Sequence, residues 1–352
     1  MNKYISIFFC VQIIALNLFA MQPKVTPVDY VRPQIDTHKS RWFFFSSASR
    51  PFGMVSLSPD TWTEGSWNSG YLYNSKEIRC FSHVHCWQLA GVPVMPTTGE
   101  VKGHKGMDAY KSTYSHETEI VKPGYHKVEL DTYQIRVELT STSRVGMHRY
   151  TYPAGEKANV LFDVGALLAH GKTEKAAIHR ISSKEIGGYS VLAPTSRRKK
   201  PVTVYFVARF NQNMTAFGGW EKEGKEKKLV HKNSIEGADI GGYASFGKLK
   251  KQTLLMKVGI SYVSEEQARI NLEKELAHWN FDRVKEDAFA EWNRELGKIT
   301  VEGGSEEEKI KFYTDLWHSL LGRHTFSDFN GKYIDNTGEE PVVRQVPLDN
   351  GT

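Results

Sequence analysis

Between residues 25 and 263 the sequence is a succession of short apolar runs broken by Gly, Pro, Asn and Ser, and after Ser264 that pattern stops. Runs at 126–130, 134–140, 147–152, 159–164 and 202–209 have the length and composition of strands. Several alternate apolar with polar residues, so Tyr133, Ile135, Val137 and Leu139 fall on one face, as in a half-buried antiparallel strand. Many such runs without intervening helices predict a β-sandwich or barrel. The polar, Gly/Lys/Glu-rich stretch 218–241 predicts a long surface hairpin, and 254–262 one more strand. Beyond it, Ser264 can cap a helix opened by Glu265 and Glu266, with Ala268, Leu272 and Leu276 at helical spacing. Val284, Ala288 and Trp292 mark a second helix over 281–296, stopped by Gly297. Ser305 caps a third, whose residues Ile310, Phe312, Tyr313, Leu316, Trp317, Leu320 and Leu321 form a face too broad for one amphipathic helix to hide against a linker. A run of strands followed by a run of helices implies two domains that switch near 264. The expected layout is a mostly β domain over 21–263, helices over 264–304, and a helical domain begun over 305–352 and not completed.

The first twenty residues differ from the rest. Lys3 precedes an almost wholly apolar stretch from Ile5 to Phe19, and Leu18-Phe19-Ala20 resembles a small-residue cleavage site. A secretory signal peptide over 1–20 fits best, with an uncleaved anchor as the alternative; the run is short for a membrane span. The chain is therefore expected to be exported, to the periplasm or the cell surface. With 40% apolar and 24% charged residues in 352, the composition is globular. The net charge of +6 is spread out, and the one dense basic cluster, residues 197–200, reads as a solvated loop before Pro201. Nothing supports a nucleic-acid partner or a stable membrane span. Cys10 lies in the leader, while Cys80 and Cys86 could pair after export but make no disulfide framework.

Chemistry concentrates between Arg50 and Pro96, where Trp62, Trp67, Tyr71, Tyr73, His83, His85 and Trp87 are interleaved with Gly, Ser, Asn and Asp. Sugar rings have apolar faces that stack on aromatic rings, and hydroxyls that need directional donors and acceptors. Such a mixture near turns suits a carbohydrate pocket, although aromatic residues of a sandwich are also ordinary core. His83 and His85 are two apart, so on a strand both rings would enter one pocket; each could equally be a satisfied structural histidine, and a single His-x-His is a poor metal signal. Asp60 reads as the holder of a turn. The oxygen-rich run 335–340 lacks EF-hand spacing and reads as a solvated loop.

These segments resemble a family. PFGMV at 51–55, LSPDT at 57–61, WNSGYLY at 67–73 and FSHVH at 81–85 are similar to the N-terminal signature of glycoside hydrolase family 92. WNFD at 279–282, WNRELG at 292–297 and the stretch from VEGGS at 301–305 to HSLL at 318–321 resemble its linker and following helices, in the expected order. The resemblance implies a bacterial exo-acting α-mannosidase acting on mannose-containing glycans. It implies an N-terminal antiparallel β-sandwich of the galactose-mutarotase-like supersandwich type, linker helices and a C-terminal (α/α)6 barrel, here truncated, with the site between the two domains. It also implies inversion at the anomeric centre, with a general-acid Glu, a general-base Asp and calcium. Inverting chemistry separates two carboxyls so that water fits between base and sugar, one protonated and the other ionised.

Matched to the sandwich segments that face the site in that family, Trp67, His83, His85 and Trp87 are the expected substrate contacts. No catalytic residue and no calcium ligand is assigned within this chain; both belong to barrel segments expected beyond Thr352. The sequence departs from the family around residues 38–49, with RWFFF at 41–45, and after the paired histidines, with CWQLAGVP at 86–93. Both loops would border the leaving-group side, which leaves the linkage open. Two other readings remain: a non-catalytic carbohydrate-binding sandwich, against which the exposed helix face at 305–321 would speak, and a structural sandwich with no ligand.

Overall fold

The computed structural model describes residues 25–38, 45–63, 70–86, 89–166, 172–196 and 198–347. The leader, Trp67, Trp87 and Arg197 lie outside the described residues.

Two large antiparallel sheets face each other. The first has seven strands in the order Ser58–Asp60, Cys80–Ser82, Val94–Thr98, Lys157–Phe162, Gly241–Lys248, Ala216–Glu223 and Glu226–Val230. The second has nine: Ser234–Gly237, Thr173–Arg180, Glu185–Leu192, Val202–Phe210, Thr253–Ser261, Val145–Thr151, Ile135–Ser141, Tyr125–Leu130 and Ile120–Lys122. The alternation read from sequence decides which face is inside: Ile135, Val137 and Leu139 are fully buried, while Arg136 points outward to Glu129. Their partners across the layer include Val160, Phe162 and Ala244, so one continuous core joins the two sheets. Burying this apolar surface, at about 25 cal/mol per Å², is the main force that holds them together.

The 218–241 stretch forms the expected hairpin only in part. Ala216–Glu223 and Glu226–Val230 pair with each other, but Ser234–Gly237 crosses to the edge of the other sheet and pairs with Thr173–Arg180. Ile235 is buried where it crosses, which gives the chain its reason to leave the hairpin.

Three helices follow the strand Thr253–Ser261. In Glu265–Glu275, Ser264 Oγ accepts from the Gln267 amide at 3.1 Å, and Ala268, Leu272 and Leu276 pack on Val145, Met147 and Val207 on the outer face of the nine-stranded sheet. Phe281–Leu296 buries Val284, Ala288 and Trp292 and ends at Gly297. It lies so close to the sheet that a Cβ on Gly124, at φ +81°, would stand 2.6 Å from Ala288. Two polar bolts fix its position. Trp292 Nε1 donates to the Ser49 carbonyl at 2.7 Å, and the Arg50 guanidinium reaches Ser141 O, Val284 O and Glu291.

The third helix, Glu306–Leu321, corrects the sequence reading. Ser305 and Glu308 form a capping box as its residues suggest. Its broad apolar face, however, is not left bare: Tyr313, Trp317 and Leu321 are buried against Trp292, Leu296 and the N-terminal residues Val28 and Val31. Arg32 N donates to Thr314 Oγ1 at 3.0 Å across 282 positions of sequence. A short 3-10 turn, Pro27–Tyr30, adds to the cover given by the preceding helix.

The run 335–340 is a turn rather than a metal loop. Asp335 Oδ1 accepts from the Thr337 amide and hydroxyl, and Lys200 Nζ donates to Asn336 O at 2.9 Å and to Gly338 O. The basic loop is therefore not simply solvated: Lys200 ties it to this turn, and Arg198 turns back on the carbonyls of Leu192, Ala193 and Lys200.

Candidate functional site

Short strands build the segment that the sequence singles out. Ser58–Asp60 pairs with Cys80–Ser82, so that Asp60 lies opposite Cys80 and Ser58 opposite Ser82. Val84–Cys86 turns back on Leu89–Gly91. A bend at His83 separates Cys80–Ser82 from Val84–Cys86, and the two histidines meet different partners.

His83 is sealed between the sheets. Its Nδ1 faces the Val92 carbonyl at 2.7 Å and so carries the proton; Nε2 must then accept from His148 Nε2 at 2.8 Å, and His148 Nδ1 accepts from the Tyr150 hydroxyl at 2.8 Å. One neutral assignment satisfies the whole chain. Burial pushes the His83 pKa down to about 4 and that of His148 far below its usual range, so both rings stay uncharged. Gly146 is what lets the ring fit: a Cβ there would stand 2.7 Å from His83 Cδ2. Val92, which receives the His83 hydrogen bond, has φ +52°, a strained conformation for a β-branched residue.

His85 is equally buried but charged in character. Nδ1 donates to Ser56 O at 2.7 Å, and Nε2 lies 2.8 Å from Asp60 Oδ1. Asp60 Oδ2 accepts from the Ser82 hydroxyl and, at 3.3 Å, from the Cys80 thiol. Burial works against an imidazolium here, yet the Asp60 charge and the hydrogen bonds outweigh it and raise the His85 pKa. Asp60 is therefore the counter-ion of His85 and not the holder of a turn. Cys80 is a free, buried thiol in this structure.

The rim is shared with the helical part of the chain. His324 Nδ1 donates to Gly53 O at 2.9 Å, and the Thr325 amide to Phe52 O at 2.9 Å. Burial, with the nearby His85 charge, lowers the His324 pKa. Gly70, at φ +143°, borders His85, whose Cδ2 would lie 3.8 Å from a Cβ there.

This geometry corrects the expectation of direct substrate contact by His83 and His85. Both nitrogens of each ring are engaged within 2.8 Å inside the protein, so neither offers a free polar atom to a sugar. What they hold is the protein itself: the Val92 carbonyl in one case, and the Ser56 carbonyl with the Asp60 carboxylate in the other. Sequence reasoning missed Asp60, His148 and Tyr150. The alternation of His148 and Tyr150 on one strand gives them a common face, but only the fold brings His83 to them. The expected calcium is assigned no ligand in this chain; among the described residues no group of three or more His, Cys, Asp or Glu side chains is placed to hold a metal ion. Among them, too, no helix is long and apolar enough to cross a membrane.

Comparison with known proteins follows the same division of the chain. Residues 30–261 match the family model for the glycosyl hydrolase family 92 N-terminal domain, and residues 267–345 that for the family's catalytic domain. A solved family GH92 α-mannosidase from Bacteroides thetaiotaomicron superposes with a TM-score of 0.81 at 28% identity, over 93% of this chain and 45% of that one. The same enzyme in complex with mannoimidazole gives 0.79 at 28% identity, over 92% and 43%. An uncharacterized secreted glycosidase of Arthroderma benhamiae is 23% identical over 330 residues, which is 85% of this chain and 40% of that protein. The chain thus spans less than half the length of these relatives.

Proposed function

This chain belongs to glycosyl hydrolase family 92, and on that premise we propose that it is the N-terminal part of an exported, exo-acting α-mannosidase. Its substrates are mannose-containing glycans, from which terminal α-linked mannose is hydrolysed with inversion and with calcium. The observation that carries the reading is the match to both family domains in order, joined to a 28% identical α-mannosidase that follows this chain over 93% of its length. Export, to the periplasm or the cell surface, is supported by the leader-like first twenty residues and by the secreted relative.

Division of labour follows from the residues. Trp67 and Trp87 contact the sugar from the sandwich side. His83 and His85 hold described segments near these two residues in sequence, one as a neutral link in a buried chain and the other as half of an ion pair. The acid and base come from the parent enzyme's barrel, in the part of the relatives' length that this chain does not span. Calcium would assist the sugar's distortion there; no ligand for it is assigned among the described residues.

Mannose release from mixed α-mannobioses tests this, measured for the 352-residue chain and for a chain extended through the rest of the catalytic domain, with calcium and then with chelator. The expected result is release by the extended chain alone, abolished by chelator. Failure of the extended chain on every α-mannoside overturns the reading.

A non-catalytic carbohydrate-binding sandwich is the second reading, and one observation favours it. The helix face that would have spoken against a free-standing module is covered in part by Val28 and Val31, which help bury Tyr313, Trp317 and Leu321. Calcium-independent sugar binding by this chain, with no release by any longer form, would decide for it.

A further inference from the structure

Glu119 is a buried carboxylate for which the proposed hydrolysis has no use. Its side chain is fully buried, and Oε2 accepts from Gln34 Nε2 at 2.8 Å, the Tyr71 hydroxyl at 2.9 Å and His116 Nδ1 at 2.6 Å. His126 Nε2 stands 3.0 Å from Oε1. Burial favours the neutral acid, but the attraction of the nearby His126 ring and the hydrogen bonds of His116 and Tyr71 prevail and lower its pKa. A carboxylate so placed fixes each group around it.

What it fixes leads to one exposed ring. His116 is held at both nitrogens, Nδ1 by Glu119 and Nε2 by the Tyr73 carbonyl at 2.7 Å. Its plane lies against the Tyr73 ring with centroids 4.0 Å apart and only 6° between the planes. Tyr114 meets the His116 ring edge-on at 5.2 Å, and the Tyr73 amide is tied to Thr37 O. One face of Tyr73 is thus backed by a clamped imidazole, while the residue remains 39% exposed. The next residue, Asn74, donates from Nδ2 to His38 Nε2 at 3.2 Å, which places an amide and an imidazole on the same exposed stretch.

From this arrangement we infer that Tyr73 is an outer saccharide-stacking platform, taking one sugar ring of a glycan on the face away from His116, with Asn74 and His38 offered to the hydroxyls. A ring already held in position loses little conformational freedom on binding, which favours affinity. The inference rests on the glycan reading above and adds to it a residue other than Trp67 and Trp87.

Calorimetry and saturation-transfer NMR on the 352-residue chain test it, with α-mannotriose as the probe and cellotriose as the control saccharide. Tyr73→Ala is expected to weaken α-mannotriose binding about tenfold, the scale of one lost stacking contact. Tyr73→Phe should stay within about twofold, because the ring and not the hydroxyl carries the contact. Saccharide resonances nearest the protein should lose their saturation signal in Tyr73→Ala alone. Binding in Tyr73→Ala equal to wild type overturns the platform and leaves the mannosidase reading standing. Tyr73-dependent binding of cellotriose with none of α-mannotriose upholds the platform and removes mannose as the ligand. No saccharide binding by the wild-type chain overturns the platform.

Discussion

Asp163 follows the strand Lys157–Phe162 into the interior, where the Tyr110 hydroxyl donates to its Oδ2 at 2.7 Å. Burial pushes its pKa up to about 6, against the lowering effects of Tyr110 and Lys227. In the unfolded chain the group keeps its ordinary value of 3.8. Between these two values the folded state holds a proton that the unfolded state has released, so stability falls as pH rises from about 4 to about 6. Asp163→Asn should remove that slope and be relatively more stable at pH 7.5 than at pH 4.5, by on the order of 2 kcal/mol, in urea unfolding at the two pH values. An unchanged pH difference between variant and wild type would show that Asp163 is ionised in the fold. At Asp60 the expectation is different: Asp60→Ala strands the buried His85 and should cost about 3 kcal/mol, whereas Asp60→Asn, which can still donate to Nε2, should cost about 1. Equal costs for the two, by urea unfolding, would refute the ion-pair assignment.

Helix ends and bolts are the features of the element scale. Ser305→Ala removes the hydroxyl half of a capping box at the start of Glu306–Leu321, leaving the Glu308 carboxylate on the residue-305 amide, and should cost about 1 kcal/mol. Arg50→Ala should cost more, about 3 kcal/mol, since it strips Glu291 of its cation and leaves Ser141 O and Val284 O without that donor. Denaturant midpoints compare the two directly, and a larger loss for the cap would reverse the ranking. Caps were legible because Ser and acidic residues sit at fixed offsets. Arg50 was not, because its partners are 91, 234 and 241 positions away.

Val28 and Val31 of the N-terminal segment close on one cluster with the helix Glu306–Leu321. Val28→Asp places an unpaired charge in that cluster and should cost about 3 kcal/mol. Limited trypsin digestion should then cut within 306–321, at Lys309 or Lys311, while the sandwich strands stay protected. Protection of the helix in Val28→Asp would show that the contact is dispensable. The same closure bears on calcium. With no side-chain cluster among the described residues to hold it, chelator should leave the melting temperature of this chain unchanged. A rise in that temperature on adding calcium would place a site in this chain after all.

Periodicity alone determined the strands, the switch to helices near 264 and the caps at Ser264 and Ser305, because these depend on residues a few positions apart. The short motifs at 51–61, 67–73 and 81–85 pointed to the family in the same local way. Only the tertiary structure decided that Asp60 faces His85, that His83 joins His148 and Tyr150, and that Val28 covers Trp317. Each of these contacts unites segments that local pattern treats as independent. Alternation reveals that a side chain is buried, and only the folded core decides what it is buried against.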